Sequence, residues 1–73
     1  MTEKKYLKLL GERILEKREA LGLSREELAE KVELTRMHIY RIENGENPTT
    51  ILVLRRIAKT FGISPNELIS NIE

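Results

Sequence analysis

Residues 23–45 read LSREELAEKVELTRMHIYRIENG, and the punctuation of this stretch decides the architecture. Ser24-Arg25-Glu26-Glu27 is an S-x-x-E capping box. In such a box the serine hydroxyl accepts from the third backbone N–H while the glutamate reaches back to the cap's own N–H. Leu28, Ala29 and Val32 then recur at helical spacing as a short apolar stripe. Thr35 is the next capping residue, so only Val32 to Thr35 remain for the connection, which must be a tight turn. The helix that Thr35 opens runs from Arg36 to Asn44 and stops at Gly45. On its wheel Ile39, Ile42 and Glu43 share one arc, while Met37, Tyr40, Arg41 and Asn44 fall on the opposite one.

The flanking sequence divides by the same signals. A first helix is expected from Thr2 to Leu21, with Leu7, Leu10, Gly11, Ile14, Arg18 and Leu21 on one face and Gly22 as its stop. An arginine on that apolar face either lies at the edge of the stripe or is buried against a carboxylate from elsewhere. Glu43, on the inner arc of its own helix, is the obvious one, because an unpaired buried charge costs several kcal/mol. Pro48-Thr49-Thr50 begins a fourth piece whose core face is Ile51, Leu54, Ile57, Ala58 and Phe61, ending at Gly62. Ile51 to Leu54 also reads as a strand, but the i, i+3, i+4 spacing beyond it favours helix. Leu52 lies on the outer side near Arg56 and Lys59, without an intramolecular home. Ser64-Pro65-Asn66-Glu67 repeats the capping logic for a fifth helix, with Leu68, Ile69 and Ile72 as its apolar side. The expected fold class is therefore all-α: five helices in a single domain over residues 1–73.

Composition excludes much. At 73 residues and 8.5 kDa the chain is short. A domain of this size buries only about 60% of the surface its unfolded form exposes. There is no cysteine, hence no disulfide or thiolate metal site, and His38 alone builds no zinc site. The longest apolar run is Ile51-Leu52-Val53-Leu54, far short of a membrane span. Lys8 interrupts the N-terminal apolar stretch and no small-residue cleavage site follows, so no secretory signal is expected and a cytoplasmic location is. With no Cys, no second His and no phosphate-binding glycine loop, neither an enzyme nor a cofactor or small-molecule ligand is expected. The net charge is only +1. Residues 24–47 carry four basic side chains against six acidic ones, whereas residues 1–23 carry six against four.

Two short helices joined by so tight a turn cross at a large angle and present the second outward. That is the geometry of a DNA-reading helix-turn-helix, although any αα-corner shares it. Here the chain resembles a known family. Leu10-Gly11-Glu12-Arg13-Ile14, Arg18, Leu23 to Ala29, Ile42-Glu43-Asn44-Gly45 and Ile57 to Ile63 are similar to the phage repressor and Cro type of helix-turn-helix, over roughly residues 7–72. The resemblance implies a compact five-helix repressor-like bundle with a central helix-turn-helix. It also implies a transcriptional regulator that binds double-stranded DNA at a palindromic operator as a homodimer, through the recognition helix 36–44. It further implies that Arg18 and Glu43 form the family's interhelix ion pair. By position, Arg25 is implied to contact phosphate or to support a base-reading side chain. Arg36, Met37 and Arg41 fall on base-contacting positions with Tyr40 between them, either at the DNA or packed against the second helix, Thr35 and Asn44 on sugar-phosphate positions, and His38 at the flank. Arg41 suits a bidentate guanine contact and Met37 a thymine methyl.

Three departures from the family pattern stand out. Glu33 occupies the turn position that commonly holds a left-handed glycine, at a cost of about 1–2 kcal/mol if that geometry is kept. Glu46 and Asn47 replace the basic residues often found in that loop. The acidic balance of residues 24–47 makes a single domain a weak DNA binder, since phosphate neutralisation dominates affinity. Self-association is the expected remedy, through a two-fold interface of the fourth and fifth helices burying Leu52, Ile69 and Ile72, although Ile69 and Ile72 also suit a monomer core. Ending where the family domain ends, the chain is expected to carry no effector domain. The reading from another class is a protein-interaction module, an antitoxin or an adapter to transcription machinery, working through the acidic surface at Glu26, Glu30 and Glu33. A membrane-surface helix at residues 4–17 is better explained as core.

Overall fold

The computed structural model describes residues 2–70, which form five helices: α1 (Glu3–Ala20), α2 (Arg25–Val32), α3 (Arg36–Glu43), α4 (Ile51–Phe61) and α5 (Pro65–Ile69). Among these residues there is no strand, and the segment from Ile51 is helical from its first residue. α1 packs on α3 and α5, α2 on α3 and α4, and α4 on α5. The core between them is Leu10, Ile14, Leu28, Ala29, Val32, Ile39, Ile42, Ile57, Ala58, Phe61 and Leu68.

The helix starts follow side-chain chemistry. Thr2, Ser24, Thr35 and Thr50 each stand in extended backbone and accept from the N–H three residues on. At α2 both halves of the capping box are made: Glu27 N donates to Ser24 Oγ at 3.0 Å, and Ser24 N donates to Glu27 Oε1 at 2.9 Å. The backbone hydrogen bond from Ser24 holds the Glu27 carboxyl below its ordinary value, because it favours the charged form. Ser64 departs from expectation. It has cap backbone geometry with Pro65 in the first turn, but its hydroxyl caps nothing; the Ser64 carbonyl instead accepts from Glu67 N at 3.0 Å. α5 is secured from outside, by Arg13 Nη1 of α1 donating to the carbonyls of Leu68, at 3.3 Å, and of Ser70. A five-residue helix exposes most of its carbonyls, so a cation at its C-terminal end suits it.

The helix ends share one device. After α1 to α4 the chain turns through Gly22, Glu33, Gly45 and Gly62, and the N–H of the next residue returns to the last turn: Leu23 to Arg18, Leu34 to Ala29, Glu46 to Arg41 and Ile63 to Ala58, at 2.9–3.1 Å. Leu23, Leu34 and Ile63 thereby tuck against the core. Only Glu33 performs the turn with a side chain, at φ 60. Arg56 Nη1 comes within 3.8 Å of Glu33 Oε2, but both side chains are largely in water and such a pair contributes little.

Two expectations are corrected by where the helices end. Leu21 is 53% exposed: α1 stops at Ala20 and Leu21 caps it, so the wheel no longer applies there. Ile51, placed on the core face, is 78% exposed, because the first turn of α4 projects past the core that Ile57, Ala58 and Phe61 enter. Ile69, read both as a two-fold contact and as monomer core, is half-buried against its own chain's core. Ile72 lies outside the described residues.

α1 and α3 meet backbone to backbone. A methyl group on Gly11 would fall inside the envelopes of the Ile42 and Glu43 carbonyls, and one on Gly45 would lie 2.7 Å from the Lys8 Cα. Gly45 also has φ 72, so glycine is required there twice over. Alanine in mid-helix normally stabilises by about 1 kcal/mol relative to glycine. Gly11→Ala is expected to do the opposite and to cost about 1–3 kcal/mol by overpacking. An unchanged or raised urea midpoint for that variant would show that the two backbones do not touch.

Candidate nucleic-acid interface

The turn between α2 and α3 is built from Glu33, Leu34 and Thr35. The left-handed Glu33 reverses the chain, Leu34 plugs into the core, and Thr35 Oγ1 accepts from His38 N at 3.0 Å to start α3. This fixes the roll of α3. Ile39, Ile42 and Glu43 are buried, while Met37, Tyr40, Arg41 and Asn44 are exposed, as the wheel required, and Arg36 is exposed beside them. Met37 and Tyr40, at 55% and 43%, are unusually exposed for apolar and aromatic side chains of a small domain. His38 is half-buried at the flank.

Glu43 is held from two sides. Arg18 Nε donates to its Oε2 at 2.7 Å and Arg18 Nη2 to its Oε1 at 3.3 Å, a two-pronged pair between α1 and α3. Arg18 Nη1 also donates to the Leu23 carbonyl at 2.7 Å, tying down the α1–α2 turn. The second partner is Arg25, the first residue of α2, whose Nε donates to Glu43 Oε1 at 2.8 Å. The Glu43 side chain is wholly buried, that of Arg18 8% exposed and that of Arg25 32%. The Arg25 guanidinium in turn lies 5.2 Å from the centroid of the Tyr40 ring, a cation–π distance. Sequence reasoning paired Glu43 with Arg18 alone. Nothing in the spacing of residues 25, 40 and 43 reveals the second bond, which exists only because α2 and α3 cross.

The structure brings Arg25, Thr35, Arg36, Met37 and Tyr40 together along one open groove of about 490 Å³. Arg41 and Asn44 continue the exposed side of α3, where Asn44 Nδ2 donates to Glu46 Oε2 at 3.3 Å. The first turn of α1 lies beside the end of α3: Glu3, Lys4 and Leu7 border a shared hollow with Asn44, Gly45 and Glu46. Lys4, Lys5 and Lys8 are exposed, and Lys4 borders the hollow at the end of α3. Glu26, Glu30 and Glu33 are exposed on α2 and its end. Among the described residues no cluster of His, Cys, Asp or Glu side chains is arranged to hold a metal ion, and no helix is long and apolar enough to cross a membrane.

A carboxylate without water, facing two guanidiniums, makes the three partners unequal. Glu43→Gln keeps the volume but leaves two cations facing each other, and is expected to cost roughly 3–5 kcal/mol. Arg18→Ala should cost a similar amount, and Arg25→Ala less than either, because it leaves the buried Glu43 still paired with Arg18. Urea unfolding of the three variants tests the ranking; a Glu43→Gln variant as stable as the parent contradicts it.

The sequence profile of the helix-turn-helix family matches residues 14–68. An uncharacterised HTH-type transcriptional regulator of Methanothermobacter thermautotrophicus is 43% identical over 49 residues, 67% of this chain and 71% of that protein. The control protein C.MunI of a Mycoplasma species is 35% identical over 57 residues, 78% of this chain and 77% of its own. Among solved structures, the restriction-modification controller protein C.AhdI from Aeromonas hydrophila superposes with a TM-score of 0.83 at 34% identity, covering 85% of this chain and 94% of that one.

Proposed function

The chain belongs to the helix-turn-helix family of the phage repressor and Cro type, and from this premise we propose that it is a sequence-specific DNA-binding regulator of transcription that acts inside the cell without catalysis or cofactor. One observation carries the proposal. The outer face of α3 spends two arginines, a methionine and a tyrosine on solvent, while its inner face is locked to α1 and α2 by the buried Glu43. Neither a core nor solubility calls for that combination, but reading base edges in a major groove does. In this reading Arg36, Met37, Tyr40 and Arg41 face the bases. Thr35 and Asn44 meet the backbone, His38 stands at its margin, and Lys4, Lys5 and Lys8 supply phosphate contacts from the flank. The controller and regulator names of the relatives support the same role.

The domain is proposed to act as a homodimer on a palindromic operator. A net charge of +1 makes one recognition helix a weak anchor, and two acting together offset that. Ile51 and Leu52, 78% and 58% exposed on α4, are proposed for a two-fold contact, beside a groove that Leu52, Ile63 and Pro65 share with Arg55, Arg56 and Lys59. Sedimentation equilibrium at high micromolar concentration should give a mass above the 8.5 kDa of one chain. Leu52→Glu should return it to one chain without loss of fold. A parent protein that stays monomeric throughout would remove the dimer.

Affinity for mixed-sequence DNA should fall steeply with salt, with a log–log slope of roughly −0.9 per phosphate neutralised. Selection from random DNA should recover a palindrome. Arg41→Ala should then cost about 1–3 kcal/mol at one base position and relax preference there. A flat salt dependence with no selected sequence would instead favour a protein-binding role for the acidic surface of α2.

A further inference from the structure

Arg25 is not an ordinary surface arginine. Its Nε is taken by the Oε1 of a wholly buried carboxylate at 2.8 Å, and the ring of Tyr40 lies 5.2 Å from its guanidinium carbon. Its root is the first residue of a helix fixed by a complete capping box. The plane of the guanidinium is thus held at its inner nitrogen, by an aromatic ring and at its base, while its Nη groups have no protein acceptor among the described residues. Charge points the same way. One carboxylate between two guanidiniums leaves the cluster with a net positive charge, and the Arg25 side chain, 32% exposed against 8% for Arg18, brings it to the surface. It emerges in the groove that Thr35, Arg36, Met37 and Tyr40 share with it.

We infer that Arg25, clamped by Glu43 and backed by Tyr40, is a pre-oriented fork that reads a pair of acceptors on DNA, and that Tyr40 contributes its ring as the platform for this fork, not its hydroxyl. The inference rests on the DNA-binding reading above and assigns specific roles within it. A planar fork suits two acceptors side by side, and DNA offers these as the two free oxygens of a phosphate or as O6 and N7 of guanine. An unrestrained arginine loses rotamer freedom when it makes such a contact, whereas Arg25 has lost it already in the free protein. The platform role also accounts for the exposed tyrosine: a ring that carries a guanidinium on its face has its apolar surface in use without being buried. Lysine cannot replace Arg25 in this arrangement, because an ammonium neither stacks as a plane nor bonds in a fork.

The test uses the full chain and the duplex recovered by selection, with urea midpoints measured beside each affinity. Tyr40→Phe keeps the ring and should bind within about twofold of the parent. Tyr40→Leu and Arg25→Lys should each weaken binding by about ten- to a hundredfold. The salt slope of Arg25→Lys should be unchanged, since the charge remains. Because the two side chains act as one unit, the double variant should bind no more weakly than either single one. A Tyr40→Phe loss equal to that of Tyr40→Leu, or parental binding by Arg25→Lys, overturns the inference. Single methylphosphonates and single 7-deazaguanines placed through the duplex separate the two sources of acceptor. The substitution that abolishes the difference between parent and Arg25→Lys identifies it, and if neither kind does so the fork is wrong. A parent protein that binds no duplex defeats the DNA-binding reading together with this one, whereas a binding parent with indifferent variants defeats this one alone.

Discussion

The Glu43 carboxylate has lost all its water, and the rest of the domain is arranged around that fact. Among the described residues the guanidiniums of Arg18 and Arg25 replace its hydration, so α1, the start of α2 and the end of α3 must sit where those three groups meet. A well-packed apolar trio is often as stable as a buried ion cluster, so the gain from the cluster is one of arrangement. Hydrophobic contacts among Ile14, Leu28 and Ile39 are tolerant of small slides and rolls; a hydrogen bond of 2.7 Å from a fork is not. The roll of α3, and with it the set of side chains offered to solvent, is thereby defined.

Around this centre the small core is supported mainly by economy at helix ends. Four helices begin on a hydroxyl cap and four end on the same left-handed turn, so each of these ends gives partners to some of the backbone groups a helix terminus leaves over. The turns also deliver Leu23, Leu34 and Ile63 to the core, which a chain with so few apolar residues to spare needs. The left-handed Glu33 is the exception, strained where glycine would not be, and it sits in the turn that sets α2 against α3. The backbone contact of α1 with the end of α3, at Gly11 and Gly45, allows Arg18 and Glu43 to approach without a layer of side chains between them.

Charge distribution explains how a nearly neutral chain can serve as a DNA-binding domain. Of the six acidic side chains of the helix-turn-helix segment, Glu26, Glu27 and Glu30 lie on α2 and Glu33 at its end, Glu46 is bonded to Asn44, and Glu43 is neutralised inside the protein. The basic first turn of α1 is folded against the end of α3. Net charge therefore understates the local field at the proposed reading surface, which depends on where charges stand and not on their sum.

Helix number, helix starts, the glycine stops after α1, α3 and α4 and the two-sided character of α3 were legible in the sequence, because caps, glycines and 3.6-residue periodicity are local signals read within a few residues. The pairing of Arg18 with Glu43 was legible too, since a charge on an apolar face demands a partner of opposite sign and only one was on offer. What periodicity could not supply was where each apolar face stops being covered: Ile51 and Leu21 belong to the right side of their helices yet lie past the end of the core, and Ile69 found cover within its own chain. Nor could it show Arg25 reaching Glu43 and Tyr40, fifteen and more residues away in sequence. That contact is a product of the crossing angle between α2 and α3. A wheel describes one helix alone, and only the packing of two decides which of their exposed side chains touch.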